Sequence, residues 1–423
     1  MSHTKKFFSY YRPYLGTFIA VMICAFIAAG ASLLLPLCTR YITKDLLAQG
    51  TAGAMATIYR VGGMMLVLVA IQVATNSFVD YRGHAMGAMM ENDMRSELFN
   101  HLQRLSFRFY DGEKTGALMS RITNDLLSLS ELYHHGPEDL MIYLVRFIGA
   151  FVILLGINPK LTGVVFAFLP VMVLYTYVFN KRLRKCFRVN RQRIGDINAQ
   201  VEDTLSGIRV VKSFANEPVE QEKFAHESRR FLHSRKSIYG NEAWFYQGMT
   251  AFTQLITVAL VVFGGISIIR AQLDLADLIT FLLYVGYITE PIQKLAQITG
   301  QYQEGLAGFD RFMEIMEQQP DVADAPDAQP VTQVRGDVSF QEVSFRYGPE
   351  LDDVLRKVNL HVRPGEYVAL VGPSGVGKTT LCALIPRFYD VTEGTVALDG
   401  QDIRKLRLRD LRRAIGVVQQ DVY

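Results

Sequence analysis

The sequence predicts an α-helical membrane protein, with six transmembrane helices that continue into long cytoplasmic extensions, followed by an α/β domain. Three observations predict it: long uncharged runs within the first 300 residues, basic segments on one side of them, and period-two patterning from about Arg335. Half of the 423 residues are hydrophobic and 20% are charged, whereas soluble domains have about 25% charged residues. This balance excludes a disordered chain, a collagen and a small disulfide scaffold, and it disfavours a plain soluble enzyme.

The apolar runs predict the spans. No charged residue lies between Arg12 and Arg40, a run longer than the roughly 20 residues that a helix needs to cross a bilayer and too long for a signal-peptide core. The sixth span is the weakest, because its uncharged run ends at Glu290-Pro291. The predicted spans lie near residues 13–39, 58–82, 137–158, 161–181, 243–269 and 275–298.

The charge map predicts the orientation. Residues Lys181 to Lys236 contain 14 Lys and Arg, and Arg82 to Arg121 adds several more. The loops on the other face are short and carry few charged residues. Because basic segments stay cytoplasmic and six spans return the chain to its starting side, both termini are expected in the cytoplasm. A nucleic-acid-binding patch is disfavoured, since the basic residues alternate with acidic and apolar ones at helical spacing.

The two basic segments, 83–135 and 181–242, are predicted to be helices that continue the spans into water. Each breaks near its middle: the first at the Asp111-Gly112 turn, the second between Gly207 and Pro218. A short transverse piece at each break predicts a stalk with a blunt tip. The membrane domain is assigned to 1–317, and the Pro-, Asp- and Ala-rich stretch 318–334 is interpreted as a linker.

The spacing of the cysteines and histidines predicts no zinc, redox or other metal site. Cys24, Cys38, Cys186 and Cys382 form no CxxC pair, so buried apolar thiols are expected rather than a zinc or redox site. The eight histidines are scattered, and the adjacent His134 and His135 fall on different faces of a helix. The spacing therefore predicts no metal site among them.

The last segment, 335–423, reads as strands and a phosphate-binding loop. DVSFQEVSF, VLRKVNLHV and EYVALV have strand patterning, and the third runs into GPSGVGKTT with a helical pattern after it. Glycines at 372, 375 and 377 let backbone N–H groups approach a triphosphate. The helix that starts near Lys378 directs its positive end at the anion. Lys378 supplies a charge between the β- and γ-phosphates, and Thr379 a hydroxyl for Mg²⁺.

Nearly the whole chain resembles an ABC exporter half-transporter of the multidrug and lipid type, with a transmembrane domain fused to a nucleotide-binding domain. RLSFRFYDGEKTGALMSRITND and LSGIRVVKSFANE resemble its two coupling-helix segments, VSFRYG its A-loop, GPSGVGKTT its Walker A motif and RRAIGVVQQDVY its Q-loop. The resemblance implies ATP and Mg²⁺ as ligands, Tyr347 against adenine, and Gln420 near Mg²⁺ and the attacking water. The implied phosphate-binding residues are Gly372, Pro373, Ser374, Gly375, Val376, Gly377, Lys378, Thr379 and Thr380; the implied coupling residues are Phe109, Tyr110, Asp111, Gly116, Gly207 and Arg209.

The resemblance also has a departure. The signature motif, the Walker B Asp with its neighbouring Glu, and the switch His of this family do not occur in residues 1–423. The domain from 335 is therefore expected to be a partial α/β P-loop ATPase domain, truncated after the Q-loop. Because positioning and electrostatic stabilisation supply nearly all of phosphoryl-transfer catalysis, the chain is expected not to hydrolyse ATP at a useful rate.

A few residues within the spans bear on substrate. Charges inside a membrane are costly and usually functional, so Arg146 and Glu290, together with Tyr284, are candidates to line a substrate cavity. The alternative is that both charges mark where their spans leave the hydrocarbon. The aromatics Phe245, Tyr246, Phe281, Tyr284 and Tyr287 either line that cavity or pack between helices.

The leading interpretation is an ATP-driven exporter of a hydrophobic or amphipathic substrate, such as a drug, lipid or peptide. It would act as a homodimer or a heterodimer with another half-transporter in a bacterial cytoplasmic membrane, without nucleic acid. The fusion of membrane and ATP domains favours export, by analogy. Three alternatives stay open: a non-catalytic subunit that contributes half a site to a partner, a membrane-anchored P-loop kinase or GTPase, and a ligand-gated channel on the same scaffold.

Overall fold

The structure, a computed structural model, describes residues 2–46 and 54–418. Its contacts divide the chain into two compact units. The first, here called the membrane unit, comprises residues 4–90 and 130–305. The second, the mixed unit, comprises residues 1–3, 91–129 and 306–423.

Helices dominate the chain up to residue 316. In order they are α1 His3–Ser9, α2 Leu15–Tyr41, α3 Ala54–Leu102, α4 Phe107–Gly112, α5 Thr115–Ser120, α6 Leu126–Ile157, α7 Pro159–Ala167, α8 Leu169–Ser206, α9 Ile208–Ser213, α10 Glu217–Ile269 and α11 Leu275–Met316. Six helical stretches of the described residues are long and apolar enough to cross a membrane. The predicted fold class, with six candidate membrane helices, is confirmed.

Local sequence explains where these helices stop. Asn158 caps α7 by accepting a hydrogen bond from the Leu161 amide at 3.0 Å, and Pro159 takes the first helical position. The third and fourth predicted spans are therefore separate helices. Gly207 divides α8 from α9, and Pro218 lies in the first turn of α10. The short helices α4 and α9 occupy the two predicted breaks, and α3 and α8 continue past their apolar runs.

The core of the membrane unit is apolar and aromatic. Phe281, Ile288 and Leu260 are completely buried in it. At one end of α11, Asp277 keeps only 6% of its side chain exposed and is paired with two cations. Arg40 Nε lies 2.6 Å from Oδ1, and Lys44 Nζ lies 2.8 Å from Oδ2. A buried carboxylate needs such partners, so this cluster fastens the end of α2 to the start of α11.

The mixed unit contains an antiparallel sheet of four strands: β1 Val338–Phe345, β2 Leu355–Val362, β3 Glu393–Leu398 and β4 Gln401–Asp402, in the order β2-β1-β3-β4. Val338 pairs with Val362 on one side and with Leu398 on the other. Two short helices, α12 Lys378–Leu384 and α13 Leu408–Arg413, accompany it. Phe340, Val343, Phe345, Leu384 and Leu411 form the buried core.

The third predicted strand is not present. EYVALV, residues 366–371, has no strand geometry, and Tyr367 and Val371 are 101% and 89% exposed. A strand with so many apolar residues is typical of a parallel sheet that is covered on both faces. None of the strands in the described part of the chain pairs with it. Apolar patterning gives strand propensity, but a strand forms only where a neighbour supplies the ladder.

The predicted linker is irregular, but it is attached to the mixed unit. The Gln329 amide donates to the Lys405 carbonyl at 2.8 Å, and the Gln329 carbonyl accepts from the Arg407 amide at 2.9 Å. The Asp324 carboxylate accepts a hydrogen bond from the Leu408 amide at 2.7 Å, at the start of α13. Composition alone predicts a linker; these hydrogen bonds hold it to the domain that follows.

Candidate ATP-binding site

The loop Gly372–Gly377 joins the exposed segment 366–371 to α12. Gly375 and Gly377 have φ angles of +84° and +96°, where side chains with a Cβ are strained. A Cβ on Gly377 would also lie 2.8 Å from Leu355 Cδ2. Pro373, Ser374 and Val376 are exposed around these turns. The loop therefore has the bare, curled backbone that a phosphate chain requires.

The helix that follows starts at Lys378, as predicted. Lys378 Nζ donates to the carbonyls of Gly372 and Pro373 at 2.9 and 2.7 Å. Thr379 is exposed and Thr380 is buried. An ammonium group binds a phosphate anion more strongly than it binds neutral carbonyls, so Lys378 is poised to transfer to a phosphate that enters the loop.

Tyr347 lies beside this helix. Its hydroxyl is 2.9 Å from Thr380 Oγ1, and its half-buried ring contacts Tyr389 edge-on with centroids 5.3 Å apart. The structure thus brings the predicted adenine-binding tyrosine to the start of the predicted phosphate-binding helix. Gln420, the remaining predicted ATP-site residue, lies outside the described residues.

A tight turn after α12 positions two aromatic residues that the sequence reasoning missed. Arg387 has a φ of +52° and is 5% exposed. Its guanidinium binds the Asp390 carboxylate in a bidentate pair, with Nε–Oδ1 at 2.6 Å and Nη2–Oδ2 at 3.0 Å. The sequence signal was Pro386 followed by an Arg and an Asp three residues apart. The pair fixes the direction of Phe388 and Tyr389.

Phe388 and Tyr389 contact α4 within the mixed unit. The rings of Phe107 and Phe388 lie 4.3 Å apart, and the Tyr389 hydroxyl donates to Asp111 Oδ2 at 2.8 Å. Burial and this hydrogen bond to a carboxylate raise the pKa of Tyr389 above its usual range. The phenol therefore remains a proton donor throughout the physiological pH range.

The other predicted coupling residues lie on α4, on α5 and at the start of α9. Phe109 is half-buried, Tyr110 donates its hydroxyl to the Leu102 carbonyl at 2.6 Å, and Gly116 is exposed in α5. In the membrane unit, Gly207 precedes α9, and the Arg209 carbonyl accepts from Ser213 Oγ at 2.7 Å. Of the predicted set, Asp111 contacts the P-loop domain, through its hydrogen bond from Tyr389.

The predicted substrate residues lie within the membrane unit. Arg146 Nη1 is 3.6 Å from Glu290 Oε2, and its guanidinium lies 5.7 Å from the Tyr287 ring centroid. Within the part of the chain that the structure describes, the Arg146 Nε atom is buried and has no hydrogen-bond partner. Tyr284 is completely buried and donates its hydroxyl to the Leu33 carbonyl. The two charged candidates therefore form a pair, whereas Tyr284 packs in the helix core.

Comparison with known proteins identifies the family. Residues 18–292 match the ABC transporter transmembrane region, and residues 355–423 match the ABC transporter family. The chain is 39% identical over 419 residues to YwjA, an uncharacterized ABC transporter ATP-binding protein of Bacillus subtilis, covering 99% of this chain and 72% of that protein. The chain belongs to the ABC transporter family.

Two further ABC transporters are similar over nearly the whole chain. One is YgaD of Bacillus subtilis, a putative multidrug export ATP-binding/permease protein, at 30% identity over 426 residues, covering 100% of this chain and 73% of the relative. The other is an ATP-dependent lipid A-core flippase of Syntrophus aciditrophicus, at 30% identity over 425 residues, covering 98% and 68%. This ABC transporter chain is consistent with a half-transporter, and it is a multi-pass membrane protein.

Members of the ABC transporter family bind ATP, and the loop described above fits that ligand. Backbone N–H groups of Gly372–Gly377 would hold the phosphates, with Lys378 as the counter-charge. Thr379 would then be the candidate to offer its exposed hydroxyl to Mg²⁺, and Tyr347 would be the candidate to offer a ring to adenine. The fit rests on the positive φ angles at Gly375 and Gly377, which curl the loop and leave its backbone bare.

Proposed function

We propose that this chain is a subunit of an ATP-driven exporter that moves a hydrophobic or amphipathic substrate, such as a drug, a lipid or a peptide. In this proposal residues 1–317 form the transmembrane domain, 318–334 a linker and 335–423 part of the nucleotide-binding domain. Two subunits, identical or different, would act together. The chain would lie in a bacterial cytoplasmic membrane with both termini in the cytoplasm, as the basic extensions favour.

One observation carries the proposal: a row of contacts that leads from the P-loop helix to α4. Thr380 contacts Tyr347, the Tyr347 ring contacts Tyr389, and Tyr389 donates to Asp111. Any movement of the P-loop helix on binding ATP would therefore be felt at α4. Because α4 follows the long helix α3 with only four intervening residues, it is well placed to pass that movement towards the spans.

The short helix α9 favours a dimeric arrangement. Leu205, Val210 and Phe214, at and around α9, are 62%, 61% and 72% exposed. Such apolar side chains at the tip of a water-exposed stalk are typical of a surface that another protein covers. We propose that α9 receives the nucleotide-binding domain of the second subunit, with Gly207 and Arg209 at its start.

For the substrate path, we propose that Arg146 and Glu290 line the cavity as a pair. The pairing lowers the cost of two charges within a membrane domain, and the aromatic ring of Tyr287 contributes to holding the guanidinium. Arg146→Met is expected to alter substrate affinity because it leaves Glu290 without its partner. Arg146→Met combined with Glu290→Gln removes both charges, so it should keep the change in affinity without leaving an unpaired carboxylate.

We propose that a polypeptide limited to residues 1–423 is a poor ATPase. That polypeptide would bind ATP through the P-loop but hydrolyse it slowly, since charge stabilisation and water positioning carry the reaction. Steady-state phosphate release measures it. Substantial ATPase activity that disappears in Lys378→Ala would overturn this part of the proposal.

The test of function uses the chain in lipid nanodiscs and a lipophilic fluorescent dye. Dye affinity is measured by anisotropy with and without ATP–Mg²⁺. We expect ATP–Mg²⁺ to change dye affinity in the wild type but not in Lys378→Ala. ATP binding without any effect on the dye would contradict the proposal. Phosphate transfer to an acceptor would then favour the kinase alternative. An ATP-dependent current in planar bilayers would favour the channel alternative.

A further inference from the structure

Three histidine side chains converge within the membrane unit, away from the ATP site. His84 lies on α3, and His134 and His135 lie on α6. One ring nitrogen of each lies within 4.8 Å of the other two. The ring centroids are 4.4 Å apart for His84 and His134, 4.2 Å for His134 and His135, and 5.0 Å for His84 and His135. The expectation that the histidines form no metal-site geometry is therefore wrong. His84, which lies 50 positions upstream of His134, completes a group of three.

The hydrogen bonds of two rings show which nitrogen is free to bind. His84 Nδ1 lies 2.6 Å from the Asp80 carbonyl, and His134 Nδ1 lies 2.8 Å from the Ser130 carbonyl. A carbonyl only accepts, so each Nδ1 carries the proton and donates. In a neutral imidazole Nε2 then has the free lone pair. Metal-binding histidines are usually oriented in this way, by a hydrogen bond from the second nitrogen to a backbone carbonyl.

The environment of His134 is a second observation that favours a bound ligand. The residue is 4% exposed, and its Nε2 is buried without a hydrogen-bond partner among the described residues. Leaving a buried polar atom unpaired is unfavourable, so such an atom needs a reason. Two neighbouring imidazoles with their nitrogens within reach supply one: a shared cation would satisfy His134 Nε2 by coordination.

Glycines make the convergence possible. A Cβ on Gly87 of α3 would lie 2.7 Å from His134 Nδ1 and 3.0 Å from Ser130 Oγ. A Cβ on Gly83, one turn earlier, would lie 3.2 Å from Glu138 Oε2. All three distances are too short for ordinary packing, so α6 approaches α3 this closely only because these positions lack side chains.

Carboxylates surround the cluster and favour a cation. Glu131 Oε2 lies 3.5 Å from His135 Nε2. His135 also groups with Glu138 and Asp139, whose oxygens lie within 4.8 Å of it and of one another. Glu138 Oε2 is buried without a hydrogen-bond partner among the described residues. Anionic neighbours offset the positive charge that a metal ion brings into a partly buried site.

We propose that His84, His134 and His135 bind one divalent transition-metal ion of the zinc type and thereby fasten α3 to α6. Imidazole ligands favour Zn²⁺, Ni²⁺ or Cu²⁺ over Mg²⁺ and Ca²⁺. Zn–N bonds of about 2.0–2.1 Å separate two nitrogens by about 3.4 Å in a tetrahedron. The ring nitrogens that lie within 4.8 Å of one another would therefore draw together by up to about 1.4 Å. The exposed His84 ring has room to do so, and three protein ligands leave a fourth position for water.

The test uses purified chain carrying an affinity tag without histidines, stripped of metal with a chelator. Zn²⁺ is titrated against a chromophoric competitor, and Co²⁺ serves as a spectroscopic probe of the coordination. We expect one Zn²⁺ per chain, no competition by excess Mg²⁺, and visible Co²⁺ bands typical of nitrogen ligands. Zn²⁺ should also raise the unfolding temperature.

Variants connect the binding to the three residues. His84→Asn and His135→Asn should each weaken Zn²⁺ affinity by more than about 10-fold, since even second-shell changes cost about 10–100-fold. His361→Asn is the matched control, because His361 contacts Asp337 in the mixed unit and its loss should change nothing. His84 and His135 are not fully buried, so these two variants should fold even if His134→Asn does not. Gel filtration checks that they fold. Equal Zn²⁺ affinity in the wild type and His84→Asn, or no stoichiometric binding, would overturn the proposal.

Discussion

Tyr389→Phe is the most informative single change at the contact between the P-loop domain and α4. The substitution keeps the ring that packs against Phe107, Phe345 and Tyr347. It removes only the hydroxyl that donates to Asp111. Any effect on α4 is therefore the effect of one hydrogen bond.

The magnitude follows from the partners. A hydrogen bond to a charged group contributes about 1.5–3 kcal/mol. Tyr389 is 8% exposed, but Asp111 is exposed to water, so the low end applies, at about 1.5 kcal/mol. Since about 1.4 kcal/mol is a factor of ten in an equilibrium constant, opening of α4 should become about tenfold more favourable.

Hydrogen exchange with mass spectrometry measures this opening. The peptide that covers Phe107–Gly112 should exchange about tenfold faster in Tyr389→Phe, provided that opening precedes exchange at equilibrium. Tyr347→Phe is the matched control, because it removes a hydroxyl from the same aromatic cluster without touching Asp111. Unchanged exchange in Tyr389→Phe, or an equal change in both variants, would refute the reasoning.

Three further predictions concern the ATP site, the membrane unit and the sheet. Lys378→Ala should weaken binding of a fluorescent ATP analogue about 10–100-fold, because a charge-assisted phosphate contact is worth about 1.5–3 kcal/mol; fluorescence titration measures it, and unchanged affinity would remove Lys378 from the site. Asp277→Ala should destabilise the chain by about 2 kcal/mol or more by unpairing Arg40, whereas Asp274→Ala, at a position with 63% of its side chain exposed, should cost under about 1 kcal/mol; chemical unfolding in detergent compares them, and equal losses would contradict the burial argument. Burial acts to raise the pKa of Asp399, but three backbone N–H donors at residues 335–337 lower it overall. Its stabilising effect relative to Asp399→Asn should therefore be present above about pH 4, the usual Asp value, and decline as pH falls through the lowered pKa; a stability difference independent of pH would contradict this.

Much of the fold is predictable because its causes are local. Long uncharged runs predict the six candidate membrane helices, and turn residues such as Gly112 and Gly207 predict the breaks that α4 and α9 occupy. Alternating patterns predict β1 and β2. The exposed segment 366–371 was predicted wrongly, because strand formation depends on a neighbouring strand that its own residues do not reveal. The attachment of the linker through Gln329 was missed for the same reason.

The candidate sites also differ in how far the sequence predicts them. The P-loop is predictable because its glycines, lysine and threonine are contiguous and each type has a physical task. The Tyr389–Asp111 contact joins residues 278 positions apart, and nothing in the local pattern of either residue indicates the other. The histidine cluster likewise depends on α3 packing against α6 at Gly83 and Gly87. The adjacent pair His134 and His135 was visible in the sequence, but the third histidine was not.

The central claim is that ATP bound at the P-loop changes the membrane helices. The chain contains a single tryptophan, Trp244 on α10, which is 73% exposed and serves as an intrinsic probe. Acrylamide quenching of its fluorescence is measured before and after ATP–Mg²⁺ is added to the chain in nanodiscs. We expect a change in quenching in the wild type, a smaller change in Tyr389→Phe and none in Lys378→Ala. Saturating ATP binding with unchanged Trp244 quenching would contradict it.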